Sequence, residues 1–369
     1  MRNPMPDPER RYYTRQLQLS EIGEEGQQKL TQARVLVIGA GGLGCPALQY
    51  LAAAGVGTIG ICEDDHVSID NLHRQILYRF DDQQEPKLAC AIEELSSLNP
   101  FVKTIPHPEK ISPDNAETLF SKYDLVLDCT DNFPARFLIN DAAVLTKTPL
   151  LQASIYQFEG ELHGYHPHHQ TACLRCMWPE MPEPGCIGNC AETGTVGAVT
   201  GVIGSLQALQ AIYFLLDRPS ILISGDWLSI DLSDLNIRKL ARIPNPDCPV
   251  CGNTPSIVHL QPERYENAPS SISFEISATD LKTLKPHQLI DIRTAFERQI
   301  APLPEALPLA GYNKSDFDPE TPVVLICQSG QRSLALARQW RTEGRGNVYS
   351  LTGGLNAWKE ISWTPTPAC

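Results

Sequence analysis

The stretch Arg34-Val35-Leu36-Val37-Ile38-Gly39-Ala40-Gly41-Gly42-Leu43-Gly44 decides the fold. The apolar run over 34–39 is typical of a strand that is buried on both faces of a parallel sheet. A glycine loop follows, and the pattern beyond it predicts a helix over 43–54 and a second strand over 58–62. Because these elements form one βαβ unit, the sequence predicts an α/β fold with a Rossmann-like, mostly parallel sheet.

The same alternation continues along the chain. It predicts helices over 87–98 and 134–145 and strands over 124–128 and 149–153. Residues 254–271 are rich in Pro, Ser and Asn, with little apolar periodicity, so we expect a linker there. A smaller α/β region follows, with strands at 288–293 and 323–327 and a helix over 332–341. We therefore predict a first domain over 1–253, a linker over 254–272 and a second domain over 273–369.

The composition limits the classes of function. The chain has 369 residues and a net charge of −13, with ordinary hydrophobic and charged shares of 42% and 20%. This negative charge argues against nucleic acid as a partner, because phosphates need Lys and Arg. The longest apolar run, Val196 to Leu216, contains polar residues and two glycines, so we expect a buried or interface helix and no membrane span. Because the N-terminus is polar, we expect no signal peptide there and, by default, a cytoplasmic location.

The loop from Gly39 to Gly44 has the spacing G-x-G-x-x-G between a strand and a helix. Small residues let the backbone approach phosphate groups, and the N-terminus of a helix favours anions. Glu63 or Asp65, about 20 residues further on, is placed to hold ribose hydroxyls. By itself this loop predicts a NAD-dependent oxidoreductase as readily as any other nucleotide enzyme.

Charged residues after the loop favour adenylation. Arg74 and Lys87 form a cationic pair for which hydride transfer has no use, whereas an adenylating enzyme must offset charge that builds on an α-phosphate. Asp131 follows the predicted strand 124–128, so it points into the ligand crevice and could carry Mg²⁺. Arg74 alone would be interpreted as half of a surface salt bridge. Its occurrence together with Lys87 and Asp131 is what indicates function.

Five motifs together resemble the MoeB/ThiF/HesA family, which is related to the ubiquitin-activating enzymes. They are RYYTRQLQLSEIGEEGQQKL, GAGGLG, DDHVSIDNLHRQ, the pair Pro86-Lys87, and DCTDN. The resemblance covers about residues 8–252. It implies ATP-dependent adenylation of the C-terminal Gly-Gly carboxylate of a small ubiquitin-like sulfur carrier protein of the MoaD or ThiS type.

The resemblance also implies roles for single residues. Glu63 would hold the ribose, where the family usually has Asp, and Asp131 would bind Mg²⁺. Arg15 matches an arginine that family members insert into the partner subunit's site, so a homodimer is implied. With Arg15, the implied catalytic residues are Arg74, Lys87 and Asp131. The implied ATP site comprises Gly39, Gly41, Gly42, Gly44, Glu63, Asp65, Asp70, Asn71, Leu72, His73, Arg74, Gln75, Lys87, Asp131 and Asn132.

Two C-x-x-C pairs predict a metal site: Cys173 with Cys176, and Cys248 with Cys251. Four thiolates at this spacing suit a tetrahedral structural Zn²⁺, whereas one pair alone could be redox-active. The resembled family has the same four cysteines, which would tie the end of the adenylation domain back onto its body. With no open coordination position, we expect no catalysis by this metal.

Two further cysteines, Cys186 and Cys190, lie in a stretch rich in Gly, Pro and Asn. An exposed loop of this kind is where a reactive thiol would be found, although an incidental loop cysteine is the alternative. Cys190 aligns with a family cysteine proposed to attack the acyl-adenylate or to form an acyl-disulfide link. We therefore place Cys190 among the candidate catalytic residues, whereas the role of Cys186 stays open.

Near the C-terminus, Cys327 follows an apolar strand and begins a loop that leads into a helix. Successive N–H groups and the helix N-terminus would favour a thiolate or a persulfide at Cys327. The loop comprises Cys327, Gln328, Ser329, Gly330, Gln331, Arg332 and Ser333. Residues 273–365, with Asp291-Ile292-Arg293, Glu297 and TGGLNAW at 352–358, resemble a rhodanese domain. Phosphatases of that fold carry a loop one residue longer, so sulfur transfer is favoured.

Together these features predict an adenylyltransferase that also transfers sulfur from a persulfide on Cys327 to give a thiocarboxylate. A NAD-binding oxidoreductase with a regulatory domain and a non-catalytic carrier-binding scaffold are the alternatives. Release of pyrophosphate from ATP would exclude the first, and the presence of all four catalytic residues argues against the second. The sulfur donor, such as a cysteine desulfurase or thiosulfate, stays open. So do the pathway (molybdopterin, thiamine or tRNA thiolation) and any role of Cys369.

Overall fold

The computed structural model describes residues 6–169, 171–182, 194–265, 274–284, 286–310, 316–318 and 321–362. The chain divides into two compact units. The first contains the described residues up to Met181 and those from 194 to 265, and the second contains those from 274 to 362.

An eight-stranded sheet forms the centre of the first unit. Its strands β1 to β8 are Arg34–Ile38, Thr58–Cys62, Lys103–His107, Leu125–Asp128, Leu150–Tyr156, Glu159–Tyr165, Trp227–Asp231 and Asn236–Leu240. They lie in the order β3-β2-β1-β4-β5-β6-β7-β8. The first five in that order run parallel, and β6 to β8 add an antiparallel extension. The carboxyl ends of the parallel strands therefore meet at one edge, where α/β proteins bind ligands.

Helices cover both faces of this sheet. Those among the described residues, α1 to α10, are Asp7–Tyr12, Thr14–Leu17, Gly23–Gln32, Gly44–Ala54, Lys87–Leu98, Pro113–Phe120, Phe133–Thr146, Leu174–Met177, Gly197–Leu215 and Ile221–Ser224. Val35 and Val37 belong to one hydrophobic cluster, while Leu36 and Ile38 belong to the other. Since successive side chains of a strand point to opposite faces, β1 must be apolar at every position after the exposed Arg34.

Helix α9 is long and apolar enough, by length and composition, to cross a membrane. A core helix of a soluble protein passes the same test. Ile203, Ala208 and Ala211 of α9 are fully buried and join the cluster that contains Leu48 and Leu51 of α4. These contacts place one side of α9 in the core of the first unit.

The segment up to Tyr265 packs against the first unit, although the sequence assigns it to the linker. Ile257 and Tyr265 are only 2% and 7% exposed and join the cluster that contains Phe137. The Tyr265 hydroxyl donates a hydrogen bond of 2.9 Å to the buried carboxylate of Asp141 in α7. Composition did not indicate this packing, because the apolar side chains that anchor the segment, among them Leu260, are few and show no periodicity.

The second unit has a five-stranded parallel sheet. Its strands β9 to β13 are Glu275–Ile276, Gln288–Asp291, Leu307–Pro308, Val323–Ile326 and Val348–Leu351, in the order β11-β10-β12-β13-β9. The helices α11 to α14 are Ala278–Thr283, Ala295–Ile300, Gln331–Thr342 and Gly354–Ser362. The central strand β12 is buried on both faces, as β1 is. Val324 and Ile326 face one hydrophobic cluster, while Val323 and Leu325 face the other.

The predicted α/β fold class is confirmed, with a mostly parallel first sheet and a smaller parallel second one. Predicted element bounds agree to within one residue at most ends; α5, for example, spans Lys87–Leu98 as expected. Strand β5 continues to Tyr156, past the predicted end at 153, because it pairs along its length with β6. The antiparallel extension was not predicted, since β8 is exposed throughout and has no buried-strand pattern.

Candidate functional site

The glycine loop connects β1 to α4 at the carboxyl edge of the sheet. Gly39 has φ of 91°, in the left-handed region that favours glycine. A methyl group on Gly44 would lie 2.0 Å from the carbonyl oxygen of Gly39, so a larger residue cannot close this turn. The glycines thus place no side chains over the loop backbone at the N-terminus of α4, which lets a phosphate group approach it closely.

Glu63 follows β2 and holds the loop. One carboxylate oxygen accepts the Ala40 N–H at 2.8 Å, and the other accepts the N–H groups of Asp64 and Asp65 at 3.1 and 3.0 Å. The carboxylate therefore joins the glycine loop to the turn after β2. It is only partly buried, which leaves room for a ribose hydroxyl beside it.

Lys87 is the first residue of α5, and its side chain is 4% exposed. Its Nζ lies 2.8 Å from Oδ2 of Asp65, whose side chain is 72% exposed. A buried ammonium group is stabilised only with a partner, and here that partner faces solvent. Lys87 thus presents a positive charge next to the glycine loop, opposite a carboxylate that a bound anion could replace.

A cavity of about 400 Å³ opens beside this pair. Its lining includes the acidic residues Glu63 and Asp65 and the apolar residues Leu88, Ile92 and Pro106. An apolar wall with a few polar groups is the usual form of a small-molecule cleft. The arrangement suits a flat nucleoside.

The segment 71–75 carries the second cation. Arg74 donates to the side chain of Asn71 and, over 3.0 Å, to the carbonyl oxygen of Asp70, and it lies 2.8 Å from His73 Nε2. These contacts hold the guanidinium group within its own turn. Leu72 packs against the apolar cluster below, and Asp70 accepts from the Ser68 hydroxyl.

Gln75 is 5% exposed, and its Oε1 has no hydrogen-bond partner among the described residues. A methyl group on Gly41 would lie 3.6 Å from its Nε2, so the amide faces the glycine loop. A buried polar atom without a partner is rare in folded proteins and is a reason to expect a ligand or water beside it.

Asp131 and Asn132 lie beyond the end of β4, and both are exposed. Asn132 caps α7, because its side chain accepts the Ala135 N–H at 3.0 Å. A methyl group on Gly39 would lie 3.0 Å from the Cys129 carbonyl oxygen, so the turn that carries Asp131 runs beside the glycine loop. The structure thus leaves the Asp131 carboxylate exposed at this edge of the sheet and makes Asn132 a helix cap.

Arg15 lies apart from the loop. It is exposed on α2, next to the buried Tyr13, whose hydroxyl accepts a hydrogen bond of 2.8 Å from Asn99. Gln16 and Gln27 both donate to the carbonyl oxygen of Ala54, at the C-terminal end of α4. The glycine loop is at the other end of α4, about 16 Å away for 11 residues at 1.5 Å each. Arg15 therefore does not serve the glycine loop of its own chain.

The four cysteines of the C-x-x-C pairs converge. Their Sγ atoms lie 3.9 Å (Cys173–Cys176), 3.6 Å (Cys173–Cys248) and 3.4 Å (Cys176–Cys251 and Cys173–Cys251) apart. Four sulfurs at about 2.3 Å from a zinc ion would be about 3.8 Å apart. All four are free thiols, so the cluster can hold a metal ion and contains no disulfide.

A buried ion pair fixes the first cysteine pair to the domain. Arg175, between the two cysteines, places its Nε 2.8 Å from Oδ1 of Asp141 in α7, and both side chains are at most 4% exposed. Tyr265 donates to the same carboxylate. The cysteine cluster, α7 and the segment up to Tyr265 thus form one connected block.

In the second unit, Cys327 follows β12 and is fully buried. Its Sγ accepts the Gly330 N–H at 3.1 Å and lies 3.4 Å from the Ser333 hydroxyl. The Ser333 hydroxyl also lies 2.8 Å from the Ser350 hydroxyl of β13 and 3.0 Å from the Gly330 carbonyl oxygen. Since the Ser350 hydroxyl can donate to that carbonyl oxygen at 3.0 Å, the single proton of Ser333 is left for the sulfur. Donors directed at the sulfur from the start of α13 are what a thiolate or persulfide needs.

Arg332 of this loop pairs with Glu297 of α12, with Nη1 3.2 Å from Oε2. The hydrogen bond from Arg332 lowers the pKa of Glu297 to about 2, and bonds from Thr294 add to the effect. Asp291 and Arg293 form a second ion pair, which is fully buried. These pairs fix the two segments that face the Cys327 loop.

The model of the ThiF family matches residues 13–250, which contain the glycine loop, both cations, Asp131 and the four cysteines. The chain belongs to the ThiF family. Residues 277–361, which contain the Cys327 loop, match the rhodanese-like domain. This ThiF-family chain therefore carries both of the domain types that the sequence predicted.

Two relatives of this ThiF-family chain differ in how much of the chain they match. The sulfur carrier protein adenylyltransferase of Thermus thermophilus is 46% identical over 250 residues, which cover 66% of this chain and 91% of that relative. The adenylyltransferase and sulfurtransferase MOCS3 of Mus musculus is 37% identical over 391 aligned residues, covering 94% of this chain and 84% of the relative. The first relative matches one part of the chain, and the second matches nearly all of it.

Solved structures share the fold. Escherichia coli MccB with MccA-N7isoASN has a TM-score of 0.59 at 23% identity and covers 66% of this chain and 75% of its own. PaaA has a TM-score of 0.55 at 20% identity, covering 65% and 76%. At these identities the likeness concerns the fold alone.

The sequence patterns predicted most of the strand ends that carry this ThiF-family site, but they did not predict the buried polar residues below those ends. Asp128, Gln152 and Gln207 form a buried hydrogen-bonded group under the Asp131 turn. A signal existed, since Gln152 interrupts an apolar strand and Gln207 an apolar helix. Cys186 and Cys190 lie outside the described residues.

Proposed function

We propose that the chain uses ATP to adenylate the C-terminal Gly-Gly carboxylate of a small ubiquitin-like sulfur carrier of the MoaD or ThiS type and then delivers sulfur to it. The chain is an adenylyltransferase and a sulfurtransferase. The observation that supports this most strongly is the presence, in one chain, of a glycine loop flanked by Lys87 and Arg74 and of a cysteine loop with donors on its sulfur. Family membership favours this reading over a NAD-dependent oxidoreductase.

The residues at the strand ends fit a nucleoside triphosphate. The bare glycine loop, the buried ammonium group of Lys87 and the amide of Gln75 with its unpartnered oxygen suit phosphate groups. Glu63, with Leu88 and Ile92 nearby, suits the ribose and base. Mg²⁺ would be held by Asp131 and would neutralise phosphate charge when it is bound.

Adenylation needs charge compensation and alignment. A carboxylate oxygen of the carrier attacks the α-phosphorus, the bond to the bridging oxygen breaks, and pyrophosphate takes the electron pair. Arg74 and Lys87 offset the negative charge that builds on the phosphates. Because Arg15 stands at the far end of α4, we propose a homodimer in which the partner subunit's Arg15 adds a further positive charge.

Sulfur transfer follows from the second unit. The terminal sulfur of a Cys327 persulfide attacks the acyl carbonyl carbon and AMP leaves, which gives an acyl disulfide between carrier and Cys327. A second thiol then attacks the Cys327 sulfur, the S–S bond breaks, and the carrier leaves as a thiocarboxylate while the two thiols form a disulfide. Cys190 is our candidate for that thiol. A cysteine desulfurase or thiosulfate would supply the persulfide sulfur.

The cysteine cluster has a structural part in this scheme. Four thiolates within tetrahedral reach suit Zn²⁺ and leave no position for a substrate. The ion would fix the turn at 248–251 to α8 and, through Arg175, to α7.

The test of this function is carrier-dependent exchange of labelled pyrophosphate into ATP. Candidate carriers of the MoaD and ThiS types are incubated with the chain and MgATP, and each is compared with a form that lacks its last Gly. We expect exchange with at least one intact carrier and none with its shortened form. Exchange with no carrier of either type, or exchange independent of the final Gly, would contradict the proposal.

A further inference from the structure

Helix α9 carries small and polar residues in an otherwise apolar sequence. Gly197, Thr200, Gly204 and Gln207 are spaced by three, four and three residues, which puts them on one face of the helix. This face is directed towards the nucleotide site and the strand ends. The spacing indicates a role other than simple burial.

Three of the four touch segments of the nucleotide site directly. A methyl group on Gly197 would lie 2.3 Å from the His73 carbonyl oxygen, so the start of α9 lies against the turn of Arg74. Thr200 Cγ2 would lie 3.0 Å from a methyl group on Gly42, and one on Gly204 would lie 2.4 Å from the Leu43 carbonyl oxygen. The helix therefore supports both the Arg74 turn and the glycine loop.

Gln207, the fourth, reaches the end of β4. Its Nε2 donates to the carbonyl oxygens of Asp128 and Leu151, at 2.9 and 3.0 Å, and its Oε1 accepts from the Cys129 thiol at 3.2 Å. Gln207 is fully buried, and a buried amide is costly unless it is hydrogen-bonded. The Cys129 thiol is itself buried, and its hydrogen bond to Oε1 fixes the orientation of the amide.

Asp128 passes this constraint on to Asp131. Its fully buried carboxylate accepts from Thr130 N and Oγ1, at 2.9 and 2.7 Å, on one oxygen and from Gln152 Nε2, at 2.7 Å, on the other. The bonds to Thr130 bend the chain immediately after the strand. That bend determines where the exposed Asp131 leaves the sheet.

We propose that Gln207 and Asp128 are positioning residues that aim the Asp131 carboxylate and so set the contribution of Mg²⁺ to nucleotide binding. The inference rests on the proposed role of Asp131. Partners that orient a metal ligand are commonly worth about 10–100-fold in metal affinity. The same helix face would keep this ligand in register with the glycine loop and Arg74.

The test measures binding and needs no carrier. The full chain is titrated calorimetrically with α,β-methylene-ATP, once with Mg²⁺ and once with EDTA. The Kd in EDTA divided by the Kd with Mg²⁺ gives the Mg²⁺ contribution. We expect Gln207→Met to lower this ratio about tenfold, with little change in the Kd measured in EDTA. The double variant Asp131→Ala/Gln207→Met should match Asp131→Ala alone, because both act through one carboxylate.

Gln210→Met is the matched control. Gln210 is on the next turn of α9 and also bonds to the backbone, accepting the Ile221 N–H at 2.9 Å, but this bond leads away from the site. We expect it to keep the wild-type ratio. If Gln207→Met does not fold, Thr130→Val, which removes only one hydroxyl bond to Asp128, should lower the ratio in the same direction.

The outcomes separate the two claims. A wild-type ratio in folded Gln207→Met, or equal loss of affinity with and without Mg²⁺, would overturn the positioning role. Additive losses in the double variant would do the same. Failure of the wild-type chain to bind the analogue at all would instead contradict the proposed function.

Discussion

The two units build their sites in opposite ways. In the first, the candidate residues come from five separate segments, namely the glycine loop, Glu63–Asp65, the 71–75 turn, Lys87 and Asp131. In the second, one loop from Cys327 to Ser333 places donors around a single sulfur. The first site depends on how strands and helices pack, and the second depends mainly on local backbone. Damage to tertiary packing should therefore affect adenylation more than sulfur transfer.

Removal of the cysteine cluster should produce the largest difference between the two units. We expect about one zinc ion per chain, retained through dialysis, because four thiolates close the coordination shell. Cys173→Ser/Cys251→Ser should lose the metal and destabilise the first unit by on the order of 5 kcal/mol. Metal analysis and calorimetry check this, with thiosulfate:cyanide activity as the control that should survive. Zinc retained by the double variant would disprove the assignment.

Asp131→Ala should affect only one chemistry. We expect carrier-dependent pyrophosphate exchange to fall by about 10³-fold or more, since the carboxylate that would hold the charge-neutralising Mg²⁺ is lost. Asp131 is exposed, so the melting temperature should hardly move. Steady-state exchange and thermal melting are the two measurements. Exchange at the wild-type rate would remove Asp131 from the mechanism.

The smallest effect concerns the ion pair between Glu297 and Arg332 in the second unit. The pKa of Glu297 lies near 2, below its value in an unfolded chain, so the pair stabilises the fold above about pH 4.5 and this contribution is lost as the pH falls towards 2. Glu297→Gln should thus cost stability at pH 6 but less at pH 3.5. Urea denaturation of both proteins at the two pH values tests this. An equal difference at both would show that the charge is not responsible.

The same contrast explains what the sequence could predict. The Cys327 loop is contiguous, so its residues and its helix could be located from the pattern alone. In the first unit, the glycine loop and the strand ends were predictable, but the Asp128–Gln207 contact joins residues 79 positions apart. The packing of Tyr265 on Asp141 was missed for the same reason, since the two are 124 positions apart. Periodicity reports which face is buried, and it does not report which buried polar groups meet.

The most direct test of the central claim, that two chemistries reside in separable units, is Cys327→Ala in the intact chain. Pyrophosphate exchange and thiocarboxylate formation from a persulfide donor are measured on the same preparation with the same carrier. We predict exchange near the wild-type rate, no thiosulfate:cyanide activity and strongly slowed thiocarboxylate formation, because only the sulfur step needs this thiol. Thiocarboxylate formed at the full rate would show that sulfur arrives by another route, and it would contradict this account.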